Sequence, residues 1–283
     1  MPSQTPQWFP GHMARTRRLV QESLKLVDAV VELRDARAPE SSRNPVLGEI
    51  IGKKPRIVLL NKCDLADPEA TARFVRQQPY TLAVDCRSGK GLGRFAPLAR
   101  ECLEDVIAAN IAKGMRGRPL RLMVVGIPNV GKSSFINRMA KGVRAETADK
   151  PGVTRRTQWY VVGRVGGVAI ELLDTPGVLW PKFEDPAVGE KLAFLGSVKD
   201  EITDIETLAL RLVEVLRGSY PQRLRERYRL EQPELAGGPE ELLERMARKR
   251  GMLLPGNEPD THRASAVLLD ELRAGKLGKI TLD

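Results

Sequence analysis

The sequence predicts an α/β protein, a mostly parallel sheet with helices on both faces, followed by a smaller all-α domain. Three observations carry that prediction. Short apolar runs alternate with helix-periodic segments up to the region of residue 180, two of those runs are separated only by a Gly-Gly pair, and past 185 the strand signal stops while the helical period continues.

In chain order, residues 13–27 (MARTRRLVQESLKLV) place Leu19, Val20, Ser23, Leu24 and Val27 at helical spacing, and DAVVELRDAR then reads as a buried strand running into a loop. Further apolar runs follow at 56–61 (RIVLLN), 80–85 (YTLAVD), 120–126 (LRLMVVG), 158–165 (QWYVVGRV) and 168–174 (VAIELLD), with helical stretches at 68–77, 91–112 and 132–140. Gly166 and Gly167 between the last two runs predict an antiparallel hairpin at one edge. Beyond them AVGEKLAFLGSV, IETLALRLVEVL, PEELLERMARKR and RASAVLLDELRAG read as amphipathic helices. WPKFEDP, with two prolines and mixed charge, sets the boundary between domains of 1–182 and 183–283.

With 283 residues, 42% of them hydrophobic, the chain can bury a substantial core. It has no bilayer-spanning apolar run and no secretory signal, so the expectation is a cytoplasmic protein with no membrane partner. Cys63, Cys86 and Cys102 form no CxxC pair and stand beside only two histidines, which argues against a disulfide framework and a zinc site. A net charge of +10 points to a polyanionic partner, and the excess lies in the first 200 residues, since 201–283 hold 14 basic and 15 acidic side chains.

Gly126-Ile127-Pro128-Asn129-Val130-Gly131-Lys132-Ser133 fits G-x-x-x-x-G-K-[ST] between an apolar strand and a helix, SSFINRMA, that opens with Ser133 and Ser134. Glycines let the backbone curl so that successive N–H groups and the helix amino terminus point at phosphate oxygens. Lys132 is then expected to reach the β- and γ-phosphates and Ser133 to ligate Mg²⁺. Further on, LLDTPG puts Asp174 at the carboxyl end of a strand, where it can hold Mg²⁺ through water, and Gly177 where its N–H can approach a γ-phosphate. Thr154, in the basic loop DKPGVTRRT, is suited to complete the Mg²⁺ shell.

Asn61-Lys62-Cys63-Asp64 supplies base selectivity. The Asp64 carboxylate can accept from N1–H and N2–H₂ of guanine, whereas adenine presents a lone pair at N1, which argues against an ATP-dependent kinase. Asn61 is placed to bond the base and hold neighbouring loops, and the Lys62 stem to lie across the ring. DCRSGKG follows the next strand, adding Cys86, Arg87 and Ser88 to the candidate base loop. The guanine reader precedes the phosphate cradle here, the reverse of the usual order. Functional loops of a parallel sheet lie at the carboxyl ends of its strands, so one pocket can be assembled from strands in any chain order.

N-K-x-D, an S-x-G-x-G-like loop, G-x-P-N-V-G-K-S-S, P-G-x-T and D-T-P-G, in that order, resemble the circularly permuted GTPases. WFPGHMARTRR, ELRDARAPESSRNP and GVLWPKF narrow the resemblance to the YlqF, or ribosome biogenesis GTPase A, family. It covers residues 8–182 almost continuously and the tail only in helical character and length. The resemblance implies a Rossmann-like P-loop GTPase domain that binds GTP and Mg²⁺, associates with the large ribosomal subunit late in assembly and hydrolyses GTP faster there. It also implies that Asn129 helps hold a K⁺ ion beside the phosphates, as in potassium-stimulated relatives. One departure is visible: the family's S-A-x before the loop glycines is Asp85-Cys86-Arg87 here, with backbone contacts to guanine O6 compatible with the change.

Many GTPases place a glutamine after D-x-x-G to orient water, but Val178 cannot, so another group must enter. From the residues alone, His12 in WFPGHM is either a capping or packing residue or a catalytic one, and the resemblance assigns it the catalytic role. His262 reads as a surface residue in the first turn of a helix. In the tail, YPQRLRERYRL and RMARKR carry arginine clusters that suit rRNA or form a solvated face balanced by Glu226, Glu241 and Glu244. The linker AKGMRGRPLR offers equal RNA contacts.

The sequence therefore predicts a monomeric GTP hydrolase that assembles the large (50S) ribosomal subunit, binding rRNA and not DNA in its GTP form and released by hydrolysis. A GTP-gated RNA-binding scaffold with negligible hydrolysis and a small-subunit assembly GTPase are the alternatives. The strand ending at Asp174 leads through VLWPKFEDP into the helical domain, a connection through which nucleotide state is expected to reposition that domain.

Overall fold

The computed structural model describes residues 18–140, 159–175, 185–198 and 204–283. The chain divides into two compact units at 183/184. The first unit holds six strands: β1 (Ala29–Asp35), β2 (Arg56–Asn61), β3 (Thr81–Ala83), β4 (Leu120–Gly126), β5 (Trp159–Val165) and β6 (Val168–Asp174). They form one sheet in the order β3-β2-β1-β4-β6-β5. Every neighbouring pair is parallel except β5–β6, the antiparallel hairpin expected at Gly166-Gly167, which carries a bulge between Val161 and Gly163.

All seven residues of β1 are buried, as a central parallel strand covered on both faces requires. The helix at 18–24 (α1) and α2 (Pro45–Ile51) pack Val20, Leu24, Leu47 and Ile51 against Val30, Met123, Val125 and Leu173. Phe95 of α4 (Phe95–Cys102) and Phe135 of α6 (Lys132–Ala140) meet edge-on at 5.2 Å, and both are fully buried. Asp35 lies opposite Asn61, Leu33 opposite Gly126 and Val124 opposite Asp174. That register brings the loops after β1, β2, β4 and β6 out at one edge of the sheet.

Three helices start on one device, a side-chain cap followed by proline at the first helical position. Asn44 caps α2 before Pro45, Asp67 caps α3 (Pro68–Gln77) before Pro68, and Asp185 caps α7 (Pro186–Phe194) before Pro186. Each carboxylate or amide accepts from otherwise orphaned N–H groups. Pro186, read from sequence as part of a linker, is thus a helix start. The helix expected over 91–112 is instead a 3-10 turn at Leu92–Arg94, then α4, then α5 (Glu104–Ala112). Pro97 explains the first break, because a residue without an N–H belongs in a helix's first turn, so α4 begins at Phe95. α2 is too short to have announced itself by periodicity.

The described residues of the second unit form the helices α7, α8 (Ile205–Ser219), α9 (Pro221–Tyr228), α10 (Pro239–Lys249) and α11 (Thr261–Arg273), with one isolated β-bridge between Leu253 and Pro259. α8 buries Leu208, Ala209, Leu212, Val213 and Leu216 on one face, the stripe its sequence displays. The Arg273 guanidinium donates to the carbonyls of Phe194 and Ala193, at 3.1 and 2.9 Å, and so fastens α11 to the end of α7. Among the described residues no helix is long and apolar enough to cross a membrane.

Glu271 is the electrostatic hub of this unit. It is 4% exposed, accepts from Arg227 and, at 2.9 Å, from the Tyr228 hydroxyl, and pairs with Arg250 at 3.0 Å. Arg245 is likewise turned inward, onto the carbonyls of Glu234 and Ala236 and the Glu241 carboxylate, while Lys249 pairs with Glu234 at 3.2 Å. Much of the arginine-rich character of 223–229 and 245–250 therefore serves internal pairing, a role between the RNA face and the solvated face expected from sequence.

Burial acts to raise the Glu271 pKa, but the bonds from Arg227 and Tyr228 prevail and hold it below its ordinary value of 4.5. A lowered carboxylate value means stability that is full above the ordinary value and is lost as pH falls through the folded one. Glu271→Gln leaves two cations without their buried counter-charge. Because those cations are about a third exposed, the expected loss is about 1–3 kcal/mol at neutral pH, below the full cost of breaking a buried pair. Denaturant unfolding of the full chain should show this gap, and the gap should close in acid below the ordinary Glu range.

Candidate nucleotide site

The cradle follows β4. Gly126 has φ 150°, and a Cβ there would come within 2.5 Å of the Leu33 carbonyl oxygen. Gly131 has φ 104°, and its missing Cβ is the space the Asn61 amide occupies. Asn129 between them is also left-handed, at φ 58°. This curl delivers the chain into α6, whose first N–H groups have no partner within the helix and form an anion-binding end. Ser133 and Ser134 are exposed on that first turn, and Val130 is buried beneath it.

The Lys132 ammonium is buried and donates to the carbonyls of Gly126 and Ile127, at 3.1 and 2.9 Å. Burial pushes its pKa down to about 8, against the opposing pull of the Asp174 charge. A cation held so close to losing its proton is suited to a site where phosphate supplies the missing negative charge. Asp174 ends β6 opposite Val124, so its carboxylate borders the cradle. Thr175 fixes that junction by donating to the Val124 carbonyl at 2.5 Å. Geometry and donor set therefore fit a phosphate chain, with Ser133 and Asp174 on the side where Mg²⁺ would be held.

The Asn61–Asp64 loop follows β2. Asn61 is buried: its Nδ2 donates to the Val130 carbonyl at 2.7 Å, and its Oδ1 accepts from the Cys86 N–H at 2.9 Å. One amide therefore joins the 61–64 loop, the cradle and the 85–91 loop. Lys62 takes a left-handed backbone at φ 62°, and its ammonium lies 2.9 Å from Asp35. Asp64 reaches solvent, with its side chain 31% exposed, beside Arg87 at 3.8 Å.

The 85–91 loop shows how Asp85-Cys86-Arg87 stands in for S-A-x. The Asp85 carboxylate accepts from the N–H groups of Arg87 and Ser88, at 2.8 and 3.2 Å, the kind of local capping a serine hydroxyl gives more weakly. Burial works against that carboxyl, yet these bonds and the Ser88 hydroxyl hold it below the usual range. Cys86 is buried, and burial pushes its thiol up to about 12, so it is a packing residue. The N–H groups of Cys86, Arg87 and Ser88 are all engaged within the site. Their side of the pocket thus depends on loop shape, which the Arg138 guanidinium buttresses by donating to the Ser88 carbonyl.

The structure thus brings together Asn61, Lys62, Asp64, Cys86, Arg87, Ser88, Asn129, Val130, Gly131, Lys132, Ser133, Ser134 and Asp174 around one edge of the sheet. His12, Thr154 and Gly177 lie outside the described residues, as does Val178. Sequence reasoning overlooked Asp35, Arg37, Arg138 and Thr175, and noted Asp85 only as a departure from the family's loop without its capping role. The signal available for the first two was the run of charges in ELRDAR within an otherwise apolar strand.

Known proteins resemble this chain over nearly its whole length. Residues 121–232 match the family described as 50S ribosome-binding GTPase. Ribosome biogenesis GTPase A of Priestia megaterium is 46% identical over 284 residues, covering 99% of this chain and 96% of that one. Mitochondrial ribosome-associated GTPase 1 of Xenopus tropicalis is 32% identical, over 98% of this chain and 94% of its own length. Among solved structures, GNP-bound YlqF from T. maritima superposes with a TM-score of 0.64 at 28% identity, over 95% of this chain and 97% of that one. A GDP-bound YlqF structure gives a TM-score of 0.67, also at 28% identity, over 94% and 98% of the two chains. With the N-K-x-D loop after β2 and the Gly-rich loop after β4 joined through Asn61, and with relatives that align over nearly their whole length, this chain belongs to the YlqF, or ribosome biogenesis GTPase A, family and is a GTPase.

Proposed function

We propose that this GTPase is an assembly factor for the large ribosomal subunit that binds rRNA in its GTP form and leaves after hydrolysis. The observation that carries the nucleotide part is the single Asn61 amide joining three loops, which makes a carboxylate-bearing base reader and a phosphate cradle one pocket. The names of the relatives carry the ribosomal part. Asp64 accepts from the guanine edge, the Lys62 stem covers the ring, and the cradle N–H groups with Lys132 take the phosphates. Ser133, Thr154 and, through water, Asp174 would hold Mg²⁺, which when bound neutralises charge across the β- and γ-phosphates. Asn129, with its left-handed backbone at the mouth of the cradle, is the candidate ligand for K⁺.

RNA contact rests on the exposed basic side chains. Lys113 and Arg116 lie in the linker between α5 and β4, and Arg229, Arg263, Lys276 and Lys279 are exposed in the 183–283 domain. Such a protein acts in the cytoplasm. Val178 gives hydrolysis no water-orienting side chain, so that task passes to His12, brought into place when the protein sits on its ribosomal substrate.

Co-sedimentation with separated subunits tests the partner: with a non-hydrolysable GTP analogue the protein should travel with the large subunit and with GDP it should not. Equal recovery with both nucleotides, or recovery on the small subunit, contradicts the proposal. For His12→Ala, single-turnover GTP hydrolysis on large subunits should fall by a factor of about 100, within the usual contribution of general acid–base catalysis, with GDP affinity unchanged. Unaltered turnover removes His12 from the reaction.

A further inference from the structure

Asp35 ends the central strand, directly opposite Asn61 on β2. Its carboxylate is 1% exposed and engaged on both oxygens. Arg37 donates Nε to Oδ1 and Nη2 to Oδ2, each at 2.9 Å, and its backbone N–H to Oδ1 at 3.1 Å. The Lys62 ammonium lies 2.9 Å from Oδ2. Burial disfavours a charged Asp35, but Arg37 and Lys62 hold the carboxyl well below the usual carboxylate range.

Arg37, itself 2% exposed, already neutralises Asp35 through a bidentate pair. Lys62 is the second cation, and it differs in kind: its side chain is 25% exposed, and it sits in the 61–64 loop with a left-handed backbone that a lysine does not adopt unaided. Without an anchor, a four-carbon stem ending in a hydrated ammonium samples many rotamers and loses them when a ring stacks on it. With the ammonium fixed at Asp35, the stem is held at both ends before the base arrives.

We propose that Asp35 is a positioning residue for guanine nucleotides: it anchors the Lys62 ammonium so that the lysine stem is held where the base stacks, and Arg37 locks Asp35 in that orientation. This rests on the reading of Asn61–Asp64 as the guanine reader. The competing role is purely structural, with Asp35 as the counter-charge that lets Arg37 be buried. The two roles differ in whether the effect of Asp35 on nucleotide passes through Lys62.

Release of a fluorescent N-methylanthraniloyl GDP from the full-length protein separates them. Asp35→Asn and Lys62→Met should each speed release roughly tenfold, and the double variant should be no faster than either single one, as expected for two residues acting as one unit. A double variant releasing about a hundredfold faster, the product of independent effects, overturns the proposal. So does Lys62→Met releasing at the unsubstituted rate. If Asp35→Asn does not fold, Asp35→Glu keeps a counter-charge for Arg37 while shifting the anchor: it should speed release with Lys62 present and change nothing in the Lys62→Met background, and an equal effect in both backgrounds overturns the proposal. Failure of the underlying reading shows separately, in the unsubstituted protein, as equal affinity for GDP and ADP.

Discussion

A single buried side-chain amide sets the geometry on which the rest of the nucleotide site depends. Asn61 sits at the end of β2, while the cradle follows β4, and β1 lies between them in the sheet. The amide therefore reaches across the end of the central strand, giving its N–H to Val130 and its oxygen to the Cys86 N–H. A buried amide left unpaired costs a few kcal/mol, so each loop is fixed by the requirement of the others. The neighbours make room: Gly131 has no Cβ, and the small, fully buried Ala36 closes the end of β1 by donating its N–H to the Asn61 carbonyl at 2.8 Å.

A second regularity runs through both units. Among the described residues three buried carboxylates each draw two cations. Glu32 has Arg34 at 3.0 Å and Arg56 at 3.4 Å, Asp35 has Arg37 and Lys62, and Glu271 has Arg227 and Arg250. Burying one ion pair roughly balances its desolvation, and adding a second, more exposed cation tilts that balance towards the charged form. The arrangement links interior to surface, because the second cation in each set is the more exposed one. Local charge at 223–229 and 245–250 is consequently weaker towards solvent than the residue letters suggest.

The strands were legible because a buried parallel sheet demands unbroken apolar runs, and all six runs read from sequence are strands in the structure. The helix at 68–77 was legible as a helical stretch, and the Asp67 cap and Pro68 that start it are seen in the structure. Less legible were features that depend on partners distant in sequence. α2 is under two turns, and the 91–112 segment keeps a helical period through breaks set by Pro97 and Leu103. In the site, motif spacing identified the residues that face a ligand. It could not show that Asp85 caps its own loop or that Asp35 reaches Lys62, since neither bond leaves a periodic trace.

The strand order also bears on how the chain acquires its pocket during synthesis. β1 emerges first and ends up central, but its partner on one side, β4, comes much later: Ala29 pairs with Leu122. The half of the sheet that carries the N-K-x-D loop, β1 to β3, is synthesised before any of the Gly-rich loop after β4. Until β4 arrives, one long edge of β1 has open backbone groups and a buried face has no cover. In the permuted order the 61–64 and 85–91 loops are made before the cradle to which Asn61 joins them, so the shared edge of the sheet is complete only once β4 has paired with β1.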